Sequence, residues 1–225
     1  MVAIAPQHPV SPSPASSAAD APAGASRAQV IASLREHIAR VAPVRTLPLG
    51  LPTGIPALEG ATGGWARPGV SLILGPPGSG RLRAVMPALR RLTCSGRRVA
   101  VVDAGGWLHP PGLDGVLLDN LLIVRPGATR VAWAAEQLCR CGVLPLVVVL
   151  DPPELGRGGR RLQGAAEEGN TAVVVISELA QRRLPARLRM MAGQDPAGRP
   201  AVLLQRGGRG RPERWIQLAP PDAQP

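Results

Sequence analysis

The stretch Val70-Ser-Leu-Ile-Leu-Gly-Pro-Pro-Gly-Ser-Gly-Arg-Leu-Arg83 constrains this chain most. A short apolar run, Val70 to Leu74, ends in a glycine-rich turn from Gly75 to Gly80, and a basic segment of helix-forming residues follows. Strand, tight loop and helix in that order aim backbone N–H groups and a helix N-terminus at an anion. Four further apolar runs, Val99 to Asp103, Leu121 to Val124, Leu146 to Asp151 and Ala172 to Ser177, read as strands buried on both faces. Between them lies a helix over Thr129 to Cys141, with Val131, Ala134, Ala135 and Leu138 on one face and Gly142 to end it. A weaker helix covers about Arg160 to Glu168. Strands alternating with helices predict an α/β fold, a mostly parallel sheet covered on both sides. The tail segments Leu188 to Met191, Ala201 to Gln205 and Arg214 to Leu218 read as antiparallel strands added at the sheet edge.

The spacing Gly75-x-x-x-x-Gly80, with Gly78 between, fits the P-loop, but the next two positions do not. A P-loop needs Lys and then Ser or Thr; here Arg81 and Leu82 stand in their places. The Lys reaches the β- and γ-phosphates and the hydroxyl holds Mg²⁺. A planar guanidinium is not a conservative exchange for a compact ammonium, and Leu82 cannot ligate a cation that wants oxygen. Gly75, Gly78, Gly80 and Arg81 are therefore expected to form a vestigial nucleotide loop, with no catalytic residue, no metal and no cofactor. The bland alternative is a plain strand-to-helix connection. The helix after the loop is expected over Ser79 to Ser95, kinked at Pro87 and ended by Gly96.

At 225 residues the chain can hold one principal domain. Its formal net charge of +11 argues for an acidic partner, of which nucleic acid is the commonest. There is no Lys, Phe or Tyr, so any phosphate contact must come from Arg or backbone, and the core must be aliphatic. All three absent residues have A/T-rich codons, so coding bias could account for Arg81; it does not account for Leu82. Cys94, Cys139 and Cys141 lack metal-ligand spacing and read as buried or inert thiols. No stretch resembles a membrane span or a secretory signal, which leaves the cytoplasm as the expected location. Residues 1–26 are Pro, Ala and Ser and are expected to be disordered, as are 221–225. Residues 27–46 hold a helix and linker. Val30, Ile31, Leu34, Ile38 and Val41 form its apolar stripe, which packs either on its own domain or on a neighbouring subunit. The core domain is expected over 47–220.

Within that core the chain resembles the RecA family. Thr53-Gly-Ile-Pro-Ala-Leu58 looks like the family's segment before the P-loop, and Val101-Val-Asp-Ala-Gly-Gly-Trp-Leu-His-Pro110 is similar to its strand ending in Asp-Ala-Glu. Asp119-Asn-Leu-Leu122 matches its wording, Leu146 to Asp151 sits where the Walker B strand belongs, and Gly169 to Ser177 where the next strand belongs. The resemblance implies a RecA-like core. It also marks departures: Gly105 stands where the family carries its catalytic glutamate, no adenine-stacking tyrosine is present, and the two DNA-binding segments are much shorter. Asp151 is equally explained as a strand-end residue. A RecA fold stripped of ATPase residues resembles the ImuA family. The tail agrees, through Arg187-Leu-Arg189, Val202-Leu-Leu-Gln-Arg-Gly-Gly208 and Trp215-Ile-Gln-Leu218. That resemblance implies a non-catalytic role in DNA-damage-induced, error-prone translesion synthesis. Its implied partners are an inactive Y-family-like polymerase protein (ImuB) and a DnaE-type error-prone polymerase.

For DNA contact the candidates are Arg157, Arg160 and Arg161 after the Walker B strand, and Arg206, Arg209 and Arg211 in the Gly-rich turn. The bland reading is a solvated basic surface. Two competing functions stay open: a weak RecA-like ATPase or recombinase, and an oligomerisation module working through the N-terminal helix. Trp65, Trp107, Trp133 and Trp215 could stack on bases, although Trp133 and Trp215 equally suit a core.

Overall fold

The computed structural model describes residues 50–209 and 213–218. The tails, the N-terminal helix with its oligomerisation role, and Arg211 lie outside the described residues. The chain forms α1 (Pro56–Thr62), β1 (Gly69–Leu74), α2 (Met86–Cys94), β2 (Val99–Asp103), β3 (Leu121–Val124), α3 (Val131–Arg140), β4 (Leu146–Leu150), α4 (Gly158–Glu168), β5 (Ala172–Ser177), β6 (Leu188–Gln194), β7 (Pro200–Arg206) and β8 (Arg214–Gln217). They build one eight-stranded sheet in the order β3-β2-β4-β5-β1-β6-β7-β8.

The apolar runs become central strands because both of their faces are covered. Every residue of β2, β4 and β5 is buried. Alternation divides them between two cores: Val99, Val101, Leu146 and Val148 join α1 and α2 on one side, while Ala100, Val102, Val147 and Val149 join α3 and α4 on the other. In α3 the thiol of Cys139 faces that second core, where burial pushes its pKa up to about 12 and leaves it inert. Cys94 and Cys141 are exposed, so of the three thiols only Cys139 is buried.

Three further expectations are corrected. The run Leu121–Val124 is a strand but not a buried one, because β3 closes one edge of the sheet. The regular helix after the glycine loop starts only at Met86, with Pro87 in its first turn. Residues 80–86 coil irregularly, with Ala84 N–H donating to Gly80 O at 3.3 Å and Met86 N–H to Leu82 O at 3.0 Å. Pro87 has no N–H to give Arg83 O, so it begins a helix rather than kinking one. Finally, β6 is parallel to β1, and only β7 and β8 are antiparallel additions. The segment 178–187 carries the chain back along the sheet without a helix, and Arg187 N–H joins Val70 O at 2.8 Å where β6 begins. A crossover lacking a helix leaves no periodic signal in the sequence. No helix among the described residues is long and apolar enough to cross a membrane.

Candidate functional site

The strands β1 to β6 are parallel, so the loops that follow them gather at one end of the sheet. They enclose a cleft of about 1380 Å³ lined by the glycine loop, Trp107 and Leu108, Asp151 to Pro153, and Ser177 to Leu179. Of the sequence candidates, Gly78, Gly80 and Arg81 line it, and Gly75 lies just before them at the end of β1. Gly75 needs its glycine, because at φ 148° an added Cβ would sit 2.6 Å from Ser79 Oγ and 2.9 Å from Ala192 O. The Ser79 hydroxyl is buried without a hydrogen-bond partner.

Arg81 is part of the cleft wall, but its guanidinium is tied up within the protein. It is 8% exposed and forks onto Asp151, with Nη1 at 2.6 Å from Oδ1 and Nη2 at 3.1 Å from Oδ2. Planar guanidinium and planar carboxylate match in two parallel bonds, the strong geometry for such a pair. Asp151 also accepts Glu178 N–H at 3.1 Å, and its own backbone is left-handed at φ 36°. The strand-end aspartate thus holds the loop arginine and the start of the next loop together. Leu82, at the missing hydroxyl's position, packs against the core of α1 and α2.

On the opposite wall, the loop after β2 is held by Asp103, which is fully buried. Its carboxylate accepts Trp107 N–H at 3.0 Å, Leu108 N–H at 3.1 Å and Arg125 Nε at 3.4 Å. Gly105 lies beneath Trp107: an added Cβ would overlap the indole at Nε1 and Cδ1 and come within 3.0 Å of Cε2. The position that resembles the family's glutamate is therefore roofed by an aromatic ring. Gln181 was not singled out from sequence, yet it is buried and uses its whole amide. Oε1 accepts Leu155 N–H at 3.0 Å, and Nε2 lies 3.2 Å from the carbonyls of Pro152 and Pro153 and from Ser177 Oγ. It fastens the loop after β4 to the loop after β5. A lone polar residue in a loop gives no sign in sequence that its partners are 26–29 residues away.

The arginine candidates do not form one surface. Arg157 and Arg160 are exposed beside the start of α4, at the cleft end. Arg161 ties down the buried Glu136 of α3, with Nε 2.9 Å from Oε1. Arg206 faces Arg189 across β6 and β7, at the opposite end of the sheet. Arg209 lies there too: its N–H donates to Ala61 O at 2.7 Å, and its guanidinium lies over Gly63 at the end of α1. A six-residue strand separates the two groups by roughly 20 Å. Among the described residues, no cluster of His, Cys, Asp and Glu could hold a metal.

No protein-family model matches the chain, and comparison with curated proteins finds no match. Among solved structures, the crystal structure of the RadB recombinase matches with a TM-score of 0.59 at 22% identity, over 72% of this chain and 92% of that one. The likeness at this identity is one of fold, and the fold is RecA-like: a mostly parallel sheet flanked by helices.

Proposed function

We propose that the chain is a non-catalytic RecA-fold accessory protein of the cytoplasm that acts in DNA-damage-induced, error-prone translesion synthesis. On this reading it belongs with the ImuA family and binds DNA, an ImuB-type inactive polymerase and a DnaE-type polymerase without productive ATP hydrolysis. The observation that carries the reading is the Arg81–Asp151 fork. A magnesium nucleotide does not fit the residues present. The cation that would meet the β- and γ-phosphates is neutralised inside the protein, Leu82 supplies no oxygen, and Gly105 supplies no carboxylate. Electrostatic stabilisation of the leaving diphosphate is usually the largest single contribution to such a reaction and a positioned base adds to it; on this reading Arg81, Leu82 and Gly105 supply neither. The resemblance of about Leu51 to Glu178 to the RecA family, with its ATPase residues replaced, and of the tail to the ImuA family supports the cellular role and the partners. The net charge of +11 supports an anionic polymer as one of them.

One feature favours residual nucleotide binding, namely the unpartnered Ser79 hydroxyl in the loop. Sensitive ATPase measurement with and without single-stranded DNA tests the reading. The expected outcome is no turnover beyond that of Arg81→Ala, together with DNA affinity that falls steeply as salt rises. Magnesium-dependent turnover abolished by Arg81→Ala would replace the proposal with the weak ATPase.

A further inference from the structure

Trp107 is the most exposed large apolar side chain among the described residues, at 77%. An aromatic ring left in water on a mobile loop would be unremarked, but this one lies on Gly105 and the backbone that carries it is held in place. Its own N–H and that of Leu108 are donated to the buried Asp103 carboxylate. Arg125 closes the loop from outside, with Nη2 on Leu108 O at 3.0 Å and Nε on Asp103. The pyrrole side of the indole rests on Gly105, the one residue type that leaves room for it. The other three tryptophans differ: Trp65 is fully buried, Trp215 is half-buried over Gly193, and Trp133 projects from the outside of α3.

The end of the sheet that carries Trp107 is basic. Arg83 lines the same cleft, and Arg157, Arg160, Arg182 and Arg183 are exposed on loops and the helix start at the same end of the sheet. None of these five has a carboxylate within ion-pair distance among the described residues. Glu154 and Glu178 are the exposed acids on the loops after β4 and β5, so the arginines outnumber them. An exposed aromatic face on an anchored loop, at the same end of the sheet as guanidinium groups without a carboxylate partner among the described residues, is an arrangement suited to gripping single strands. The ring takes a base, whose π face it can stack on whatever the sequence, and the arginines take the phosphates. A protein segment without acidic side chains would use the ring but leave the arginines without a counter-charge.

We infer that Trp107 is the stacking platform for an unpaired base of single-stranded DNA held along the carboxyl end of the sheet; this rests on the DNA-binding reading above and names its site. The test is fluorescence anisotropy of the full chain with a labelled oligothymidylate and with an abasic strand of the same length. Trp107→Ala should weaken the base-bearing strand by about 5- to 150-fold and leave the abasic strand as it was. Trp107→Phe, which keeps a π face, should recover most of the loss, and Trp133→Ala should change neither strand. An equal loss on both strands, or no loss on either, overturns the inference. So does a Trp107→Ala protein that keeps its oligonucleotide affinity while losing a polymerase partner, since the ring would then serve a protein surface. Wild-type protein that binds neither strand would instead remove the DNA-binding reading itself.

Discussion

The two ends of the sheet are closed by different chemistry. At the carboxyl end, buried or half-buried carboxylates and one amide hold the loops: Asp103 grips residues 107 and 108, Asp151 grips Arg81 and Glu178, and Gln181 joins two loops. Asp195 does the same in the turn between β6 and β7, accepting the N–H groups of Ala197 and Arg199 at 2.9 Å and Gln217 Nε2 at 3.0 Å. At the amino end the polar side chains sit on a helix instead of in the loops, with Gln163 Oε1 accepting Val70 N–H at 3.2 Å and Glu167 taking Gln163 Nε2 at 2.7 Å and Arg187 Nη2 at 2.9 Å. The turns themselves are closed by glycines, hydroxyls and backbone. Gly50 N–H meets Gly63 O at 3.1 Å, and Thr171 Oγ1 meets Leu144 O at 3.0 Å. A carboxylate can accept several N–H bonds at once, so it suits irregular loops that have no ladder to join. The difference teaches that the cleft end is a framework fixed by polar groups rather than a set of loops waiting for a ligand to order them.

The contrast can be broken most severely at Asp103. Asp103→Ala leaves two buried N–H groups and Arg125 without their acceptor and should cost about 2–4 kcal/mol in urea unfolding. A loss below about 0.5 kcal/mol, the level of an ordinary surface change, would mean the loop holds itself. Gln181→Ala should cost about 1–3 kcal/mol, with the segments 152–155 and 178–184 gaining hydrogen exchange together. Exchange rising in only one of them would separate the loops that the amide is said to join.

The smallest effect is set by pH. The N–H of Arg199, its guanidinium, Gln217 and the N–H of Ala197 hold the Asp195 carboxyl below the usual carboxylate range. A depressed pKa stabilises the folded state above the unfolded value of about 3.9, and the benefit disappears as acid titrates the folded group. The stability gap between wild type and Asp195→Asn should therefore be constant above about pH 4 and shrink below it. A gap that stays constant down to roughly pH 2 would assign the effect to packing rather than charge.

Much of the scaffold was legible in the chain. The runs at Val99–Asp103, Leu121–Val124 and Ala172–Ser177 became strands at those bounds, and Leu146–Asp151 did so within a residue. A strand covered on both faces must be continuously apolar, so the pattern carries its own signature. Helix α3 was legible for the same reason, although Cys139 rather than Leu138 fills its core position. The start of α2 was obscured, because helix-forming residues on both sides of Pro87 share one apolar period while the proline decides where regular hydrogen bonding begins. The direction of β6 depended on a helix-free crossover. Within the site, the glycine loop and Arg81 were visible, but the partnership of Arg81 with Asp151 was not.

The sequence alone determined that a parallel sheet would form, that a glycine-rich turn would follow its first strand, and that Arg81 and Leu82 would stand directly after that turn. Those are consequences of periodicity and of the side chains available at neighbouring positions. Tertiary structure decided that Arg81 turns inward to a carboxylate 70 residues away, that Trp107 roofs Gly105, and that the arginines divide between opposite ends of the sheet. Each of these depends on which loop ends meet in space. Short-range pattern holds no record of that, because any of several arginines could have satisfied Asp151 and only packing selects one.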